Sequence, residues 1–306
     1  METLPLVLTE LIKAQRERLE CCGRIIEQSG SDQAGGVLVS LHSDYGPPDQ
    51  DKGAKNQDFG LIWCSSETES ASVPRLVIAI ADGVTASSRS EWGASLACWM
   101  AVRTLVERSA ELLPFDLAQA AFDAAGRSIG EVADVLAANP QESRPAMRKP
   151  STWQYILGQG KLLQTTLMLA WLDQNTLRIA SVGDGGAVWR GLNQETQRET
   201  CDQVFAHCDL ETNQVNCLGP SDRAGLPFDV WIERPIDGPF LCAFYTDGVG
   251  RSLGDTPLTL LDGLEQMFTS NNMDISRSYL EKALSERPQD FIDNITLASL
   301  RYVCDR

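Results

Sequence analysis

The sequence predicts an α+β fold, an antiparallel β-sandwich flanked by helices. Three observations carry this. Apolar runs of strand length come in blocks, "FGLIWC" and "RLVIAIA" first, "LLQTTLMLAWLDQNTLRIASVGDGGAVWR" later. Helical patterns come in pairs, which is not the βαβα alternation of a doubly wound parallel sheet. Connectors such as "DQN" and "GDGG" are short, and short connectors join antiparallel neighbours.

The elements follow in chain order. Residues 4–26 read as an amphipathic helix, with Leu4, Leu8, Leu11, Leu19, Cys22 and Ile26 near one face. With its linker this forms an N-terminal unit, 1–40, ahead of a main domain, 41–306. Two strands follow from about residue 57. Ser88 and Glu91 have the spacing of a capping box and predict a helix start. Trp92, Leu96, Trp99 and Val106 then recur at helical spacing, and a second helix runs from about Asp116 to Ala138. The proline-bearing loop "NPQESRPAMRKPSTW" leads to the second block of strands. Residues 191–226 are polar and read as a surface excursion. "FDVWIERP" and "PFLCAFYTDG" are strands, 257–268 and 275–286 are helices, and "NITLASLRYV" closes the chain as a strand.

Composition bounds the function. The 306 residues are 43% hydrophobic, enough for a sizeable core, and carry a formal net charge of -16. That charge argues against nucleic-acid or anionic-membrane partners and suits a carboxylate-rich cation site. The nine cysteines include no C-x-x-C pair, so they read as reduced thiols of a cytoplasmic protein. The N-terminus resembles neither a signal peptide nor a membrane span. His42 and His207 read as surface residues, since hard cations prefer oxygen.

Five aspartates stand where apolar runs meet loops: Asp58 in "NQDFG", Asp82 in "ADGV", Asp184 in "VGDGG", Asp247 in "TDGVG" and Asp293 in "DNIT". One Asp-Gly is ordinarily a turn. Five such sites on apolar strands suggest convergence at one rim, and converging carboxylates repel one another unless a cation joins them. Mn²⁺ or Mg²⁺ takes such oxygen ligands. Glycine after aspartate leaves room for a close backbone approach.

In this order the motifs Asn56–Asp58, Asp82–Gly83, Thr165–Thr166, Gly183–Asp184, Thr246–Gly248 and Asp293–Thr296 resemble those of the PPM-type, or protein phosphatase 2C, metal-dependent serine/threonine phosphatases. The resemblance spans about residues 45–303. It implies two sheets flanked by helices with two Mn²⁺ or Mg²⁺ ions at one rim. Asp82 would bridge the ions and the Gly83 carbonyl would bind one of them. Asp247 and Asp293 would hold the second ion, Asp184 with Asp247 a third, and Asp58 would support the site. The implied catalytic residues are Asp82, Asp58 and Asp247. The implied reaction is hydrolysis of phosphoserine or phosphothreonine by a hydroxide bridging the ions. Its partners are a phosphoprotein substrate and an opposing serine/threonine kinase.

The chain also departs from the family pattern. Gln57 stands where many members have Glu, Val84 replaces a His, and Gln164 precedes Thr-Thr in place of Gly. The family's upstream phosphate-binding Arg is missing, which leaves Lys52 and Lys55, with Thr166, as the expected substrate contacts. Two further functions fit the same residues: a phosphoprotein-binding or sensor module with weakened catalysis, and a small-molecule phosphoester hydrolase.

Overall fold

The computed structural model describes residues 6–34, 36–44, 56–66, 73–85, 87–140, 149, 151, 154–155, 161–193, 198–205, 216–219, 228–253, 258–269, 274–291 and 293–302. Two six-stranded sheets face each other. The first runs β1 (Gly23–Glu27), β4 (Phe59–Ser65), β5 (Leu76–Ala81), β6 (Leu167–Asp173), β7 (Thr176–Val182) and β10 (Val230–Pro235). The second runs β2 (Ser29–Ala34), β3 (Val37–Asp44), β12 (Ile295–Tyr302), β11 (Phe240–Tyr245), β8 (Gly186–Asn193) and β9 (Arg198–Phe205). Every neighbouring pair is antiparallel.

The central strands are apolar without alternation because both of their faces are covered. Ile62, Ile78, Ile80, Met168 and Phe244 point between the sheets. Leu61, Trp63, Val77, Ala79 and Trp171 point outward, into a layer built by α2 (Ser90–Arg108) and α3 (Pro114–Ala138). On the other side, Val188, Ala243, Tyr245 and Leu297 pack with Leu260 and Leu264 of α5 (Leu258–Thr269) and Leu280 of α6 (Ile275–Glu286). The order of layers is helix, sheet, sheet, helix, as expected. Among the described residues no helix is long and apolar enough to cross a membrane.

The N-terminal reading needs correction. The helix expected over 4–26 ends earlier, as α1 (Leu6–Glu20), and Ile26 lies in the inter-sheet core. Residues 23–44 supply three strands, one to the first sheet and two to the second, and the expected boundary at 40/41 falls inside β3. The helix itself is docked. Leu8 and Leu19 are buried with Trp63 and Trp99, and the Trp63 indole N–H donates to the Leu19 carbonyl at 3.1 Å. Burying two leucines is worth about 3–6 kcal/mol, against at most about 1 kcal/mol for a surface pair. Apolar contact, rather than the Arg16–Glu27 ion pair, therefore holds α1.

Four other expectations change. The capping box does not form: Ser88 bridges to Leu162, Arg89 takes a left-handed conformation (φ 62°), and α2 starts at Ser90. "GDGG" is not a hairpin, because β7 and β8 lie in different sheets and the segment carries the chain across the sandwich. Residues 191–226 include β9, paired to β8 along its length. His42 is buried rather than superficial, being on an interior strand; Ser29 and Asp44 flank it, and burial lowers its pKa. His207 lies outside the described residues.

Candidate active site

Antiparallel register brings the five aspartates to one rim. Phe59, at the start of β4, pairs with Ala81 at the end of β5, so Asp58 and Asp82 are neighbours. Tyr245, at the end of β11, pairs with Leu297 near the start of β12 and with Gly186 at the start of β8. That places Asp247 at the first turn of α4 (Asp247–Leu253), Asp293 just before β12, and Asp184 just before β8. Carboxylate oxygens of Asp82, Asp184 and Asp247 lie within 4.8 Å of one another. Asp293 stands beside them, close enough for its charge to raise the pKa of all three.

The supporting shell is polar and tightly bonded. The Asp82 N–H donates to the Thr166 hydroxyl at 3.0 Å, while the Asp82 carbonyl accepts from the Thr166 N–H and the Thr165 hydroxyl, each at 2.8 Å. Thr166, expected to contact substrate, is buried with its hydroxyl occupied in this way, so it positions Asp82. Asp58 is also buried, and its Oδ2 accepts from the Thr246 hydroxyl at 2.7 Å. Thr246 in turn accepts the Thr296 N–H at 3.0 Å, which ties β4 to β11 and β12 across the two sheets. Gln57 donates its amide to the Ser90 hydroxyl at 2.8 Å and so anchors the start of α2. Lys52 and Lys55 lie outside the described residues.

Two of the three rim Asp-Gly pairs, at Gly83 and Gly248, owe their glycine to close packing. A Cβ at Gly83 would sit 2.8 Å from Ser90 and 2.9 Å from the Gln57 carbonyl. At Gly248 it would overlap the Asn294 carbonyl oxygen. The glycines thus let three chain segments close around the acids, beyond the single backbone approach that the sequence suggested.

Electrostatics make the cluster costly without a cation. Burial, opposed in part by bonds to Asp82 and Thr246, pushes Asp58 up to about 7. Burial and the Asp58 and Asp247 charges hold Asp82 well above the usual carboxylate range. Burial and the Asp184 charge push Asp247 up to about 6, and burial raises Asp184. Asp247 Oδ1 and the Asn294 side-chain oxygen are buried with no hydrogen-bond partner among the described residues. Hard oxygen donors, mutual repulsion and a buried lone pair without a donor all fit a divalent cation.

Stability should therefore depend on pH when metal is withheld. Raised folded pKa values mean that the folded chain binds more protons than the unfolded one, so this stabilisation is complete below the unfolded value of 3.8. It is lost as pH rises through about 6 for Asp247 and about 7 for Asp58. We expect the melting temperature in EDTA to fall across that window, and Asp58→Asn to flatten the fall. Melting curves of both proteins between pH 4 and 8 check this, and a wild-type slope that Asp58→Asn leaves unchanged would exclude Asp58 as its source.

Arg251 escaped the sequence reading. It stands one turn after Asp247 on α4, with its guanidinium 2.6 Å from Asp247 and 3.6 Å from Asp293. The i, i+4 spacing was the available signal.

Comparison with known proteins agrees with this fold. A family model described as Protein phosphatase 2C matches residues 45–285. No curated protein matches the chain at a significant level. Among solved structures, the chain is similar to PppA, a key regulatory component of T6SS in Pseudomonas aeruginosa (15% identity, TM-score 0.55, covering 89% of this chain and 100% of that one). It is similar to the catalytic domain of the serine/threonine protein phosphatase PstP in complex with two manganese ions (15%, 0.53, 87% and 98%). It is also similar to serine-threonine phosphatase 2C from Toxoplasma gondii (12%, 0.56, 91% and 99%). At such identities the structural likeness speaks for the fold, while the family model matches most of the sequence: the chain belongs to the protein phosphatase 2C family.

Proposed function

We propose that this protein is a Mn²⁺- or Mg²⁺-dependent phosphatase of phosphoserine and phosphothreonine in proteins. The observation that carries the reading is the meeting of Asp82, Asp184 and Asp247 at one rim of a protein phosphatase 2C fold. Asp82 and Asp247 would hold the cations with Asp293 and the Gly83 carbonyl, and Asp184 would complete a further position with Asp247. Bound divalent cations would supply an activated water and neutralise phosphoryl charge. The chain's own contribution is placement. Thr165 and Thr166 fix the backbone of Asp82, and Thr246 fixes the Asp58 carboxylate behind it. This preorganisation keeps the acids from relaxing apart into solvent.

The implied partners are a phosphoprotein substrate and a serine/threonine kinase that opposes the enzyme. A manganese-containing structure of a fold relative, PstP, supports the choice of ion class. The scattered cysteines, with no C-x-x-C pair, support a reducing, cytoplasmic setting.

The test is hydrolysis of p-nitrophenyl phosphate and of a phosphothreonine peptide, with Mn²⁺ and then with EDTA. Turnover of both that chelator abolishes is expected. Mn²⁺ uptake without turnover of either compound would favour the phosphoprotein sensor. Turnover of the small ester alone would favour a small-molecule phosphoester hydrolase.

A further inference from the structure

Arg251 caps the acid cluster from the solvent side. Its side chain is 51% exposed, against 10% for that of Asp247. Nη2 lies 2.6 Å from Asp247 Oδ2, and Nη1 lies 3.6 Å from Asp293 Oδ2. Among the described residues it is the only cation in a salt bridge with any of the five rim aspartates. One guanidinium therefore covers two carboxylates that are also the candidate holders of a divalent ion.

We infer that Arg251 has two positions: it neutralises Asp247 and Asp293 in the metal-free protein, and it turns to the substrate's phosphoryl group once divalent cations take those carboxylates. The second half rests on the phosphatase reading; the first does not. A divalent cation at Asp247 Oδ1, the oxygen left without a donor, neutralises the carboxylate whose Oδ2 holds Arg251, and so weakens the hold on the guanidinium. The Arg251 end of the pair is half exposed, so water solvates the guanidinium as it leaves. The released group is a planar fork of N–H donors at the mouth of the site, a geometry that suits a phosphoryl group. There it adds to the neutralisation that the divalent cations would supply, in a chain whose net charge is -16.

The experiment uses the full chain with Arg251 as wild type, Gln or Lys. Calorimetric titration with Mn²⁺ is expected to show about fivefold tighter uptake for Arg251→Gln, the release of a weak competing ion pair. Inorganic phosphate added to the Mn²⁺-loaded protein is expected to bind about tenfold more weakly to Arg251→Gln, with Arg251→Lys between the two. Unchanged or weaker Mn²⁺ uptake by Arg251→Gln would overturn the metal-free position. Unchanged phosphate binding would overturn the loaded one. Both outcomes are separable from failure of the phosphatase reading, in which the Mn²⁺-loaded wild type would leave the phosphothreonine peptide intact.

Discussion

Asp247→Asn is expected to lower turnover of a phosphothreonine peptide by on the order of a thousandfold and to weaken Mn²⁺ uptake in calorimetry. Asparagine keeps the shape and one oxygen of the side chain but removes the charge that holds a cation. The same variant should not destabilise the metal-free protein. Asp247 is buried beside Asp184 and Asp293, and burial with the Asp184 charge disfavours its ionised form, pushing its pKa up to about 6. In EDTA at neutral pH the variant should melt at or above the wild-type temperature, because one repelling charge is gone. A purely structural role, in which the ion pair with Arg251 stabilises α4, predicts the reverse: a lower melting temperature and unchanged Mn²⁺ uptake.

Gly248→Ala is expected to be the most damaging single-methyl change at the rim. The added Cβ would overlap the Asn294 carbonyl oxygen, which is backbone and cannot swing away like a side chain. The conflict separates α4 from the segment before β12 and so moves Asp247 away from Asp293. Overpacking of this kind costs about 3 kcal/mol, a drop of roughly 5 °C in Tm for a chain of this length. Mn²⁺ uptake should weaken together with Tm. Thermal melting and calorimetry on one preparation check both, and a variant with wild-type values for both would mean that the two segments are not held by this contact.

Much of this site was legible in the sequence because rim aspartates mark the ends of strands that are apolar on both faces. "RLVIAIA" ending in Asp82 and "FLCAFYT" ending in Asp247 are central strands, each buried against both the other sheet and a helix layer. The strands that were missed lie at or near the edges. β2, "SGSDQA", and β9, "RETCDQVF", each pair on one side only and have the polar composition of loops. β1 was hidden because Cys22 and Ile26 continue the spacing of α1, although Ile26 turns into the inter-sheet core. The capping box at Ser88 and Glu91 was a sound local signal overridden by pairing, since Ser88 exchanges backbone hydrogen bonds with Lys161 and Leu163. Thr166 and Arg251 show what spacing cannot reveal. A threonine beside a strand end can face substrate or bind backbone, and an arginine four residues after an aspartate reads as ordinary helix pairing until the second carboxylate, Asp293, is seen beside it.

The central claim is that residues as far apart along the chain as Asp82 and Asp247 build one cation-binding cluster. Diffraction from crystals soaked in Mn²⁺, recorded at the manganese absorption edge, tests it directly. The account predicts anomalous peaks against the carboxylates of Asp82 and Asp247, lost in Asp247→Asn. Ordered carboxylates at that rim with no anomalous peak beside them would contradict it.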